Sequence, residues 1–476
     1  MLTEYAAVDA RPLPESGPVS EALSASSSPH LAPPGPHSPP DARLSMWLRV
    51  RRFAVPPSMI ETAAVRRRAG DWAGACAAAG VDVDIPLRDV RQAYGKELVA
   101  RVRDDLRCLV PDLLRWHLPR IAPDGLVRPG LTIPLARYEG AGTDAVWLVV
   151  RTPPAWADAG QRVSLALWDG ARAAAHPDRR FRFDLHRHLW DARKVGELGA
   201  RAGVGPRPGQ LPDLPHRESL AVDRWVEEAR LLLQDLPAEG RDTGVVQVRV
   251  GRRHRVLVYA GSGELRADAG PLESGLPVLP DAATWVLPDL GLLRAGLIGA
   301  GGLHPLVGSV LVPEYQPAPA AEVSPTGQPR YVDCRGARHR IGLVDGVLVP
   351  LDHDPAELRR EELLVALTGT PLPCLRAIDE AHRNPHCLSG VRERLDHGDV
   401  AGALAVVEGL LGPAATLRSG ALQEELAEAA RRRIAYGLFR AGIEEPGRHW
   451  SEFAWHRRQS HPTAYRPRGA RSVGHP

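Results

Sequence analysis

Hydrophobic positions recur with two different periods along the chain, and the switches between them divide it. From Pro56 to Ile121 the pattern is helical: Leu98, Val102, Leu106, Leu109 and Leu113 keep a three-or-four spacing on one stripe. Around Gly130 the period shortens. Leu131–Leu135, Ala145–Val150 and Arg162–Trp168 read as three strands, and their short, turn-rich links predict an antiparallel meander. A helix is expected from Leu185 to Ala202. A stronger one is expected from Glu218 to Leu236, where Val222, Trp225, Val226, Ala229, Leu232 and Leu233 fall on one face to cover a sheet.

Two hairpins follow. Val245–Val250 turns through Gly251-Arg252-Arg253 into His254–Tyr259. His339–Val344 turns at Asp345-Gly346, a favoured two-residue hairpin loop, into Val347–Val349. Between them, Trp285 to Val312 mixes a strand, a short helix and a turn at His304-Pro305. From Pro355 to Gly442 the chain is helical again, with Val400, Ala403, Leu404, Val407, Leu410 and Leu411 on one stripe.

The pattern predicts an α+β protein, with helical N- and C-terminal segments flanking a central, mostly antiparallel β-rich region and disordered tails. The expected organisation is a Pro/Ser-rich tail at 1–44, a helical segment at 45–125 and a β-rich domain with covering helices at 126–270. A mixed α/β segment with a hairpin follows at 271–354, then a helical domain at 355–442 and a basic tail at 443–476. Residues 1–44 hold nine prolines and seven serines and little to bury, so they and roughly 456–476 are expected to be disordered.

Two local devices repeat. Ala69-Gly70-Asp71-Trp72-Ala73-Gly74-Ala75 resembles His397-Gly398-Asp399-Val400-Ala401-Gly402-Ala403: a glycine stops one helix and an aspartate caps the next. Adding a Cβ at either helix-ending glycine is expected to cost on the order of 1 kcal/mol. Two distant copies do not make a repeat array. Gly251–Val256 and Gly336–Ile341 each place an Arg-His-Arg step at the start of a strand. The step reads as edge charge that discourages aggregation, or as a basic display for an acidic ligand.

Length and composition fit a multi-domain globular protein, at 476 residues with 44% hydrophobic and 25% charged positions. No apolar run is long enough for a membrane span, the N-terminus lacks a secretory pattern, and five cysteines without framework spacing fit a reducing compartment. A cytoplasmic location is the expectation. Fifty-eight of the sixty basic residues are arginines, a skew expected of a high-GC genome, and 57 acids nearly cancel them. Positive charge concentrates in the C-terminal tail. There Arg457, Arg458, Arg466 and Arg468, interleaved with Trp450, Phe453, Trp455 and Tyr465, have the composition of a nucleic-acid-contacting segment or of a solubilising tail.

Reactive side chains are densest between Tyr331 and Asp399. Cys334 and His339 lie five apart across a glycine, and His382, His386 and Cys387 cluster near a helix end, with Cys374, His353 and His397 in the same stretch. Zinc takes tetrahedral Cys/His sets, so Cys334, His339, His382, His386 and Cys387 are the metal-ligating candidates. Against them, no Cys-x-x-Cys pair occurs and Pro385 interrupts the helix between the two histidines. The expectation is therefore a Cys334 buried as a small apolar residue, with no stoichiometric zinc and no cofactor.

Asp352-His353-Asp354 reads as a general base between carboxylates or, before Pro355, as a turn and helix cap. His186-Arg187-His188 reads as a phosphodiester grip or as a polar helix N-terminus capped by Asp184. The glycine stretch 291–302 lacks a phosphate-loop pattern. With no catalytic residue to name, the reading is a non-catalytic scaffold or accessory subunit that binds a protein partner. The alternatives are a hydrolase or metal-dependent enzyme using the 334–387 cluster, and a nucleic-acid-associated protein using the basic tail.

Overall fold

The computed structural model describes residues 42–443, apart from 140–144, 171–175, 203–216, 237–242, 252–253, 313–314, 317–329, 345–346, 369–371, 384–386 and 412–419. The fold is α+β, with antiparallel sheets in the middle of the chain and helices toward both ends. Interleaved segments form two compact units. One comprises 1–51, 117–126 and 179–318; the other comprises 52–116, 127–178 and 319–476.

The first unit is built on a three-stranded antiparallel sheet, Val245–Arg249, His254–Tyr259 and Leu265–Ala269, paired in chain order. Alternation sends Val246, Val248, Val256 and Val258 to one face, where they meet Trp225, Ala229 and Leu232 of the helix Trp225–Asp235. The expected helix from Glu218 starts later. Residues 217–219 and 222–224 are 3-10 turns, because Leu220 forms an antiparallel bridge with Trp285 and so needs extended backbone. The Trp225 indole donates to the Thr284 carbonyl at 3.1 Å. The N-terminal helix Ala42–Arg49 buries Met46 and Trp47 completely, and its Arg43 guanidinium stacks on Trp285, 4.9 Å from the ring centroid.

The helix expected over 185–202 is replaced by 3-10 turns at Arg187–Leu189 and Val195–Glu197 and a single helical turn at Leu198–Arg201. Side chains hold this segment in place of a backbone ladder. Asp191 accepts from Arg187 and Arg193, and the Trp190 indole donates to the Phe183 carbonyl at 3.0 Å. Asp184 pairs with Arg182 and caps nothing.

The second unit holds a four-stranded sheet in the order Val81–Asp84, Val163–Trp168, Val146–Arg151, Thr132–Tyr138. The last three form the expected meander, with a bulge at Leu135, next to Pro134, which has no N–H to give a ladder. The stretch expected to be wholly helical contains the strand Val81–Asp84, which pairs in parallel with Val163–Trp168. Its polar positions are anchored by cations: Asp82 accepts a two-nitrogen fork from Arg162 at 3.0 and 2.8 Å, and Asp84 pairs with Arg151 and Arg440.

A second, three-stranded antiparallel sheet runs Arg330–Cys334, Ala337–Val344, Val347–Pro350. The Asp345-Gly346 loop lies outside the described residues, but the strands on either side of it pair as expected. The helices Pro355–Thr368, Pro373–Arg383, Leu388–His397, Val400–Leu411 and Ala421–Arg440 follow in the same unit, and Val391, Leu395, Ala403, Val407 and Leu422 form the shared core of the last three.

Both Gly-Asp corners are present. Gly70 and Gly398 are left-handed, with φ of 76° and 87°. Asp71 accepts from the Gly74 amide at 2.8 Å and Asp399 from the Gly402 amide at 2.9 Å. Among the described residues no helix is long and apolar enough to cross a membrane.

Candidate metal centre

The turn after Cys334 brings the first two candidate ligands together. Arg335 and Gly336 both have positive φ, 52° and 83°, and form a two-residue hairpin that pairs Cys334 with Ala337 and Val332 with His339. Side chains alternate along a strand, so Cys334 and His339 emerge on the same face of the hairpin. The third ligand follows the last strand: His353 lies between Pro350 and the helix Pro355–Thr368. The fourth, Cys374, is the second residue of the helix Pro373–Arg383.

These four side chains converge. One donor atom from each of Cys334, His339, His353 and Cys374 lies within 4.8 Å of the other three. His339 Nδ1 and His353 Nε2 face each other at 2.7 Å, with the rings at 85°, and Cys374 Sγ lies 4.0 Å from His339 Nδ1. Zinc bonds of about 2.0–2.1 Å to nitrogen and 2.3 Å to sulfur set the edges of a tetrahedral site at roughly 3.3–3.8 Å. An ion centred in this quartet needs the facing imidazole nitrogens to separate by roughly 0.6 Å and Cys374 Sγ to close on His339 by roughly 0.4 Å.

The surroundings suit a closed site. Both cysteines are fully buried, the His353 side chain is 3% exposed and His339 is half-buried, and Leu372, Val332, Leu358 and Leu375 pack around the sulfurs. Burial, then the Cys334 thiol and Asp352 nearby, pushes the Cys374 thiol up to about 12. A divalent cation inverts that balance, since a coordinated thiol gives up its proton. The flanking carboxylates of His353 have separate tasks: Asp352 pairs with Arg340 at 2.8 Å, and Asp354 accepts from the Ala356 amide at 3.0 Å as a helix cap.

Of the sequence candidates, Cys334 and His339 are brought together and Cys387 is not. Cys387 packs against the apolar core of the C-terminal helices, where burial raises its thiol. The side chain of His382 and the whole of His386 lie outside the described residues, as do Arg457, Arg458, Arg466 and Arg468 of the basic tail. The candidate donors that sequence reasoning did not select are His353 and Cys374. The usable signal was the turn: once it is placed at Arg335-Gly336, Cys334 and His339 share a face and need partners from whatever covers that face.

The other candidate constellations hold the fold together. His186 and His188 are each 2% exposed. His186 binds the Arg182 carbonyl through Nδ1 at 2.7 Å and sits 3.2 Å from Glu228 through Nε2, and burial drives His188 well below the usual histidine range. His254-Arg255 of the first Arg-His-Arg step and all of the second, Arg338-His339-Arg340, lie on the central strands of their three-stranded sheets, which corrects the edge-charge reading for these residues; Arg253 lies outside the described residues. Arg255 pairs with Asp268 on the adjacent strand at 2.6 Å, and Arg340 pairs with Asp352. The chain matches no protein-family model, no curated protein and no solved structure.

Proposed function

We propose that the protein is a non-catalytic scaffold or accessory interaction subunit, and that residues 330–383 form a module closed by one zinc ion on Cys334, His339, His353 and Cys374. The observation that carries the reading is the convergence of four donors, two thiols and two imidazoles, from three separate parts of the module. That donor set and number belong to structural zinc; a catalytic zinc keeps three protein ligands and leaves the fourth position to water. The hydrolase reading of the cluster therefore loses ground to a structural one.

Leu348, on the strand that precedes His353, packs against the core of the C-terminal helices. An ion that fixes the module also fixes that strand against the helices, which is the use a scaffold has for it. Elemental analysis of the full chain purified without chelator tests the reading. One equivalent of zinc is expected, falling to near zero in Cys334→Ala and Cys374→Ala. Metal-free wild type, or an undiminished equivalent in both variants, would refute it.

A further inference from the structure

We infer that Glu357, held in place by Arg335, is the positioning residue of this metal centre, an inference that rests on the zinc reading above. His353 turns Nε2 toward His339 and therefore toward the ion. Its other nitrogen, Nδ1, faces Glu357 Oε2 at 3.5 Å, from the first turn of the helix Pro355–Thr368. A small rotation of either side chain closes that gap to hydrogen-bond length. A carboxylate that accepts Nδ1–H fixes the imidazole tautomer, aims the Nε2 lone pair at the metal and raises its basicity.

Arg335 supplies the second, independent observation. Its Nη1 donates to Glu357 Oε1 at 2.9 Å, and Nη2 donates to Glu361 one turn further along the same helix. Yet Arg335 occupies a left-handed backbone position, one of two non-glycine residues among those described that do so. Glycine or asparagine fits such a hairpin position without strain. Backbone strain of this kind persists where the side chain has a task. The other such residue, Gln161, follows the same rule: its amide bonds Asp158 and the Val127 amide. The task open to Arg335 is to hold Glu357 against His353, which lies beyond the two strands that follow the turn.

An exposed Arg–Glu pair with no such task would contribute little and would leave the metal untouched. Competition for zinc against a chromophoric chelator, with cobalt(II) absorption as a readout of ligand geometry, separates the two cases in the full-length protein. Glu357→Ala is expected to weaken zinc binding by about 10–100-fold and to alter the cobalt spectrum. Glu357→Gln, whose amide oxygen can still accept from Nδ1–H, should recover part of the loss.

Arg335→Gly should move two readouts in opposite directions, with a metal-free melting temperature equal to or above wild type and a weaker zinc affinity. Wild-type affinity in Glu357→Ala, or a glutamine variant no better than alanine, would overturn the inference while leaving the site standing. A wild-type chain that takes up neither zinc nor cobalt would overturn both.

Discussion

Gly398 and Gly70 end their helices with the same left-handed backbone, but their surroundings differ. A Cβ on Gly70 meets nothing within 4 Å, whereas one on Gly398 would collide with the Gly160 carbonyl oxygen and crowd Arg115 Nη2. That arginine is fully buried and donates to the carbonyls of Ala54, Gln161 and His397 at 2.9, 2.6 and 2.7 Å. Gly70→Ala should therefore cost only the backbone term, on the order of 1 kcal/mol. Gly398→Ala should cost clearly more, because the colliding atom is backbone and cannot swing away. Denaturation midpoints for the two variants check this, and equal losses would contradict it.

The sequence echo made both corners legible, down to the glycine stop and the aspartate cap. Less legible was why a glycine stands three residues after each aspartate: the cap carboxylate occupies the space that a Cβ on Gly74 or Gly402 would need. The pairing of each aspartate with the arginine five residues before it, Arg66–Asp71 and Arg394–Asp399, also went unread.

At the scale of elements, local pattern placed the long helices and the strands with clear alternation. It failed where side chains outside the element decide the backbone. Val81–Asp84 is only four residues long and draws its stability from a parallel neighbour more than 70 positions away and from Arg162, Arg151 and Arg440, none of which its own pattern announces. Residues 185–202 have helix-like spacing, but a charged network overrides it.

At the centre of the adjoining cluster, Glu228 accepts a fork from Arg201 at 2.9 and 2.7 Å and a further bond from Arg224, beside His186. Burial alone would raise this carboxyl, but the nearby His186 ring and the bonds from Arg201 outweigh it and hold the group far below the usual range. A depressed folded-state pKa stabilises the fold above the unfolded value of about 4.3 and loses that contribution as pH falls through the folded value. The wild-type thermal midpoint should therefore drop on acidification below about pH 4.3 more steeply than that of Glu228→Gln. At neutral pH the variant should be less stable by about 3–5 kcal/mol, since it leaves buried arginines without their partner. Parallel acid limbs for the two proteins would refute this role.

At the scale of the whole molecule, two features escape a residue-by-residue reading. The units are assembled from interleaved stretches of chain, so no single composition shift marks where one ends. The four candidate donors are gathered by topology from residues 334 to 374, whereas nearness in sequence favoured His382, His386 and Cys387 as partners for Cys334 and His339. Spacing alone argued against zinc; the hairpin turn, the turn before Pro355 and the helix Pro373–Arg383 bring the donors together regardless.

If the ion closes the module, a chelator should expose 330–383 to protease while the 179–318 segment keeps its resistance, because folding there rests on the Trp225 core and not on metal. Simultaneous loss of both, or of neither, would count against a metal-dependent module. The most direct test of the central claim is the zinc K-edge absorption spectrum of the purified wild-type protein. The account predicts a four-coordinate shell of two sulfurs at about 2.3 Å and two imidazole nitrogens at about 2.0 Å. A shell of nitrogen and oxygen alone, or one with a water in place of a sulfur, would contradict it.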